Sequence, residues 1–187
     1  MSDYEVISGR PAAGSRECVE EACYDFLDHL GLAYVRCDHE ALYTMEALAP
    51  VEAALGCGVA KNLFLTNRQQ TEFYLLLMPG DKPFKTKFLS AQLGCARLSF
   101  GSEEQLLEYI GTSHGSASVL GLLNDKAKRV HLIADRDLKS AEFFACHPCR
   151  NTSTLRFTTA ALLETVVPAL GYALTWVDLP VDPDAAN

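Results

Sequence analysis

The chain has 187 residues, 49% of them hydrophobic, and a formal net charge of −8. The length suits one domain with a sizeable core, spanning 1–187 with an ordered part over about 15–178. No stretch approaches the roughly 18 uninterrupted apolar residues of a membrane span, and the acidic balance excludes a broad, non-specific nucleic-acid surface, which needs Lys and Arg against phosphates.

The opening MSDYEVISGR has neither the basic start nor the apolar stretch of a signal peptide, so a cytoplasmic protein is expected. The first dozen residues and the tail from Pro180 read as loosely ordered ends. Ser15 is placed to cap a helix running to about His29 and stopped by Gly31. Val19, Ala22, Cys23, Phe26, Leu27 and Leu30 form its apolar stripe. Leu32 to Cys37 reads as a strand, and Thr44 opens a second helix that ends near Gly56.

Asn62 to Thr66 and Glu72 to Met78 read as two strands of a hairpin across the polar 67–71 segment. Phe73 to Met78, the longest apolar run, suits a buried strand. A short helix is expected over Phe88 to Leu93, ended by Gly94. Ser102 with Gln105 makes a capping box for the next helix, stopped by Gly111. Val119 to Leu123, Val130 to Ala134 and Thr154 to Phe157 read as strands. Thr158 or Thr159 caps a last helix to about Leu170, and Ala173 to Val177 reads as a final strand. Helices and strands are mixed without regular alternation, which predicts an α/β domain with a mixed sheet. No G-x-G-x-x-G or P-loop motif is present.

Four local features carry chemistry. Lys61-Asn62 stands at a strand entry, where Lys offers three donors and Asn offers donors and an acceptor; a plain surface cap is the alternative. The turn Gly115, Ser116, Ala117, Ser118 can present backbone N–H groups to an oxyanion or phosphate, or be an ordinary turn. Asn124-Asp125 ends a strand-like segment and by composition is a tight turn. Cys146-His147-Pro148-Cys149 contains a C-x-x-C that invites a thiol–disulfide reading. The following N-T-S-T-L-R-F is strand-like, however, whereas that chemistry places the motif at a helix start. A metal site is not expected, since zinc needs about four suitably spaced ligands and no H-x-x-x-H accompanies the single C-x-x-C. The seven cysteines, at 18, 23, 37, 57, 95, 146 and 149, are odd in number and scattered, which argues against a disulfide framework.

In order along the chain, D-H-E-A-L-Y-T-M-E-A at 38–47, G-V-A-K-N-L-F-L at 58–65 and L-G-C-A-R-L-S-F-G-S-E-E-Q-L at 93–106 are followed by G-S-A-S-V-L-G-L-L-N-D at 115–125 and H-P-C-R-N-T-S-T-L at 147–155. This series resembles the YbaK/ProX family, freestanding relatives of the editing domain of bacterial prolyl-tRNA synthetases. The resemblance runs from about Val19 to Val177. It implies a mixed, partly barrel-like β-sheet with surrounding helices, and hydrolysis of wrongly charged tRNA without a cofactor.

By that resemblance Lys61 binds the acceptor end, while Asn62 and His147 position the ester and a water. The 115–118 loop offers N–H groups to the carbonyl oxygen, and Thr44, Asn124, Asp125, Cys146 and Pro148 shape the pocket. The implied substrate is alanine on proline tRNA, with cysteine as the near alternative; a non-catalytic module that binds tRNA or the synthetase is the other reading. The implied partners are the acceptor end of that tRNA and the prolyl-tRNA synthetase. The family often has Pro where this chain has Val119. Two basic clusters, Lys82, Lys85 and Lys87, then Lys126, Lys128 and Arg129, are candidates for a local rim that meets RNA.

Overall fold

A computed structural model describes residues 4–181. Among the described residues nine strands form two sheets, one of order β1-β2-β8-β7 and one of order β5-β3-β4-β6-β9. The first contains β1 (Val6–Ser8), β2 (Val35–Asp38), β7 (Phe143–Cys146) and β8 (Ser153–Thr158), all antiparallel. The second contains β3 (Lys61–Thr66), β4 (Phe73–Met78), β5 (Ser99–Phe100), β6 (Val130–Asp135) and β9 (Thr175–Val177). It is mixed, with β4 antiparallel to β3 and parallel to β6. A parallel bridge between Val59 and Ala145, with Ala60 N–H donating to Ala145 O at 2.9 Å, joins the two sheets just before β3.

Side chains alternate along a strand, and β4 shows the consequence. Phe73, Leu75 and Leu77 enter the large core that α1 (Cys18–His29) and α4 (Glu103–Ile110) cover, while Tyr74, Leu76 and Met78 enter a second core under α3 (Thr86–Leu93). A strand buried on both faces reads as an uninterrupted apolar run. Each fully buried leucine there contributes about 1.5–3 kcal/mol. The third core lies beneath α2 (Met45–Leu55), where Leu48, Val51 and Leu55 pack on Val59 and Ala145 at the sheet junction.

Local signals set the helix ends. Thr44 Oγ1 accepts from Ala47 N–H at 3.2 Å, and the Ser102–Gln105 capping box is present. Gly56, Gly94 and Gly111 close α2, α3 and α4 in the left-handed conformation. The structure corrects several boundaries. The first helix starts at Cys18 after Glu17 rather than at Ser15, because Glu21 Oε1 instead accepts from Arg16 N–H. The N-terminal segment is not loose at 6–8, since β1 pairs with β2. Val119–Leu123 is a 3-10 turn rather than a strand: Ser118 Oγ accepts from Leu120 N–H and starts the turn. β5, β7 and a 3-10 turn at Arg136–Ser140 were not read from sequence. The last helix forms in three pieces, α5 (Thr159–Ala161), a π turn (Leu162–Val166) and α6 (Val167–Leu170). The expected loose tail falls at 182–187 mostly outside the described residues. Among the described residues no helix is long and apolar enough to cross a membrane.

Candidate active site

A cavity of about 370 Å³ opens where β3 begins, between α2 and the 114–117 turn. Of the twelve side chains and backbone positions expected from sequence, Thr44, Lys61, Asn62, Gly115, Ala117 and His147 line it. Lys61 and Asn62 are neighbours on a strand, so they reach in opposite directions. Lys61 Nζ donates to Lys82 O at 2.7 Å, which leaves two of its N–H groups for a ligand. Asn62 Oδ1 accepts from Val119 N–H at 2.8 Å and its Nδ2 donates to Ala60 O at 3.1 Å. Asn62 therefore clips the 115–119 turn to the strand entry.

That turn contributes Gly115 and Ala117 to the lining. Ser116 N–H donates back to Ser113 O, whereas among the described residues the N–H groups of Gly115 and Ala117 have no protein acceptor. Gly115 has φ +78°, and a Cβ there would lie 3.1 Å from Tyr43 Cδ1. Glycine thus supplies both the left-handed backbone and the room for Tyr43.

His147 closes the inner wall and is 7% exposed. Its Nδ1 lies 2.8 Å from Ser153 O, an atom that only accepts, so Nδ1 carries the proton and Nε2 the lone pair. Burial, and then the nearby His39, pushes its pKa down to about 4. Thr154 Oγ1 lies 3.3 Å behind His147 Nδ1 and 2.9 Å from His39 Nε2. The segment carrying His147 is pinned to the 39–42 strand exit by His39 N–H to Thr152 O and by Asn151 Nδ2 to Leu42 O.

Six expected residues lie outside the lining. Ser116 and Ser118 are buried behind the turn, and Ser118 is engaged as the cap of the 3-10 turn. Asn124 does not face the cavity, because its Nδ2 donates to Ile110 O and Gly121 O. Asp125 is buried elsewhere, accepting from Val130 N–H at 2.8 Å and Tyr172 Oη at 2.7 Å. Cys146 and Pro148 are buried beside His147 rather than exposed to the cavity. The C-x-x-C does not make a redox pair. Cys149 Sγ is 3.5 Å from Cys23 Sγ, and burial pushes the Cys146 thiol up to about 12. Sequence reading missed Tyr43, Phe100 and His114 in the lining, and His39, Thr154 and Asn151 behind it. The D-H-E-A-L-Y-T and N-T-S-T segments quoted above contain four of these six, but nothing local shows which side chain turns inward.

A larger cavity of about 760 Å³ lies across Met45 and Ala60, and carries Glu46, Glu52, Asp81 and Glu142. Four carboxylates repel a phosphate-bearing ligand, so the smaller cavity with Lys61 is the candidate site. The basic clusters also sort. Lys82 is buried against Asp135 and Asp137, at 2.8 and 2.7 Å, and is not on a rim. Burial pulls its pKa down, and the two carboxylates more than reverse this. Lys128 donates to Leu170 O and Arg129 lies over the Tyr109 ring.

The sequence matches one class of protein. The description of the aminoacyl-tRNA editing domain matches residues 39–165, and the chain belongs to that family. It is 30% identical over 153 residues to the prolyl-tRNA editing protein ProX of Acetoanaerobium sticklandii, covering 82% of this chain and 93% of the relative. It is 31% identical over 142 residues to prolyl-tRNA synthetase associated domain-containing protein 1 of Danio rerio, covering 75% and 77%. A crystal structure described as a candidate trans-editing enzyme for prolyl tRNA synthetase superposes with a TM-score of 0.65 at 17% identity, covering 89% of this chain and 100% of the other, and shares its fold.

Proposed function

We propose that this protein is a single-domain deacylase that hydrolyses alanine from mischarged proline tRNA, acting in trans. One observation carries the reading. Lys61, Gly115, Ala117 and His147 line one small cavity, and among the described residues the N–H groups of Gly115 and Ala117 have no protein acceptor while His147 Nδ1 is engaged by Ser153 O. In this reading Lys61 holds a phosphate or nearby oxygen of the acceptor end. The two N–H groups receive the carbonyl oxygen as negative charge develops, a contribution that grows in the transition state. His147 Nε2 accepts a hydrogen bond from the attacking water or from the ribose hydroxyl beside the ester.

No side-chain nucleophile is required. The ester is already activated, and the cavity-adjacent thiol and hydroxyls of Cys146, Ser116 and Ser118 are buried. The aminoacyl end meets Met45, Leu48, Val59 and Ala117, apolar walls that suit a small side chain. A synthetase pocket built for proline rejects a smaller amino acid by only about 1–3 kcal/mol, so a second, tighter pocket supplies the missing discrimination. The family relationship and the names of the relatives support proline tRNA, and the synthetase, as partners.

The test is deacylation of alanyl-, cysteinyl- and prolyl-tRNA(Pro) by wild type and Lys61→Ala. Alanine is released and proline retained, and Lys61→Ala loses at least about tenfold in kcat/KM, the loss of one charge-assisted contact of about 1.4 kcal/mol or more. Faster release of cysteine than alanine moves the substrate assignment to cysteine. No release from any of the three refutes the deacylase reading.

A further inference from the structure

Beside the candidate site lies a second hollow of about 390 Å³, lined by Phe84, Lys85, Thr86, Lys87, Arg97 and Phe100. Phe100 lines both hollows, so they adjoin at that residue. Its ring is 59% exposed and stands edge-on to Phe84, with centroids 6.2 Å apart at 73°. Among the described residues no carboxylate lines this hollow, although the chain as a whole carries −8. Lys85, Lys87 and Arg97 are exposed. Thr86 begins α3, and no side chain caps that helix start, so first-turn N–H groups add to the positive potential. The same loop is tied to the candidate site, since Lys61 Nζ donates to Lys82 O two residues before Phe84.

We propose that this hollow binds the unpaired nucleotides that precede the terminal adenosine of the tRNA, as a stacking platform for single-stranded RNA. The inference rests on the deacylase reading and extends it. An aromatic pair, one ring exposed and one half-buried, beside the exposed cations Lys87 and Arg97 is what a single strand needs, because unstacked bases lie on ring faces while phosphates meet the cations. A duplex keeps its bases stacked and offers only phosphates to such a surface. Continuity through Phe100 sets the direction: the reacting ester enters the cavity and the preceding nucleotides lie back across Phe100 and Phe84. The platform also accounts for an acidic protein that handles RNA, since its cations sit where the strand passes.

The experiment uses a fluorescent ACCA tetranucleotide and a blunt RNA duplex, with wild type, Phe84→Ala and Arg97→Glu. Wild type binds ACCA in preference to the duplex. Phe84→Ala weakens ACCA binding by about 5- to 100-fold, the range for one lost base–aromatic stack. Arg97→Glu also weakens it, and lowers the log–log salt slope by about 0.7 or more. Circular dichroism checks that Phe84→Ala, at a half-buried position, is folded, and Arg97→Glu tests the same surface at an exposed one. The platform is overturned if both variants bind ACCA as wild type does, if the duplex binds equally well, or if wild type fails to bind ACCA at millimolar concentration. Deacylation of alanyl-tRNA(Pro) by the same wild-type sample separates the two ideas. ACCA binding through Phe84 with no ester cleavage keeps the platform and removes the deacylase. Cleavage with variants that bind and cleave as wild type does removes the platform and keeps the deacylase.

Discussion

Asn62→Ala separates the role of the clip from that of a substrate contact. The substitution leaves Val119 N–H without its acceptor, at a residue that is fully buried. An orphaned buried N–H costs about 1–3 kcal/mol, and loss of the bond to Ala60 O adds about 1 kcal/mol. The expected total is about 2–4 kcal/mol, or a fall of roughly 5–15 °C in Tm for a chain of this size. The effect on activity has a signature of its own. The clip holds the turn whose Gly115 and Ala117 line the cavity and are proposed to donate to the carbonyl, so its loss reduces transition-state stabilisation. That lowers kcat by about 100-fold, as for loss of one such donor, with little change in KM. Asn62→Asp keeps an acceptor for Val119 N–H and lacks only the donor, so its stability falls less. Thermal unfolding and single-turnover deacylation of alanyl-tRNA(Pro) measure both effects. A Tm within about 2 °C of wild type refutes the clip. Loss of stability with unchanged kcat refutes the placement of the carbonyl at the turn.

Asp135→Asn leaves Lys82 buried with only Asp137, and breaking a buried pair costs about 3–5 kcal/mol; chemical denaturation measures the loss, and kcat/KM falls with it because Lys82 O no longer holds Lys61 in place. Gly115→Ala forces a left-handed alanine and brings its Cβ to 3.1 Å from the Tyr43 ring, so it costs about 1–2 kcal/mol and lowers deacylation, read from the same two assays. His147→Asn flattens the acid side of the stability curve. The folded His147 pKa, about 4, lies below the ordinary 6.5, so between those values the unfolded chain takes up a proton that the folded one refuses. Stability therefore drops as pH falls through that window, by up to about 3 kcal/mol, and is unaffected by this group above it. Urea unfolding at pH 7 and pH 4.5 gives wild type the steeper loss, and equal losses in wild type and variant refute the assignment.

What the sequence shows are features whose cause is local. Thr44, Ser102 and the glycines at 56, 94 and 111 mark helix ends by chemistry within one turn of chain. The β3–β4 hairpin follows from two apolar runs around a polar segment. The segment 119–123 escapes because V-L-G-L-L has the same composition in either state. Its fate is decided by the Ser118 cap and by Gly121, where a Cβ would meet Ile110 O at 2.6 Å. Asn124 and Asp125 adjoin the site in sequence, but their partners, Ile110, Val130 and Tyr172, turn them away from it. The partner of Cys149 is 126 residues away, at Cys23, which no reading of C-x-x-C supplies.

The proton on His147 is fixed by a chain of partners that begins outside the cavity. His39 Nδ1 lies 2.7 Å from Glu40 O, a carbonyl, so it carries hydrogen and leaves His39 Nε2 bare. Thr154 must then donate its hydroxyl hydrogen to His39 Nε2, which turns its oxygen lone pairs towards His147. His147 Nδ1–H accordingly faces two acceptors, Ser153 O and Thr154 Oγ1, and the ring cannot exchange tautomers without losing both of these bonds. A second proton on Nε2 would put a charge in a buried wall beside another imidazole, and the centroids are 6.0 Å apart. His147 is therefore an acceptor towards the cavity across the physiological range, and the hydrogen it meets there must come from water or from the substrate.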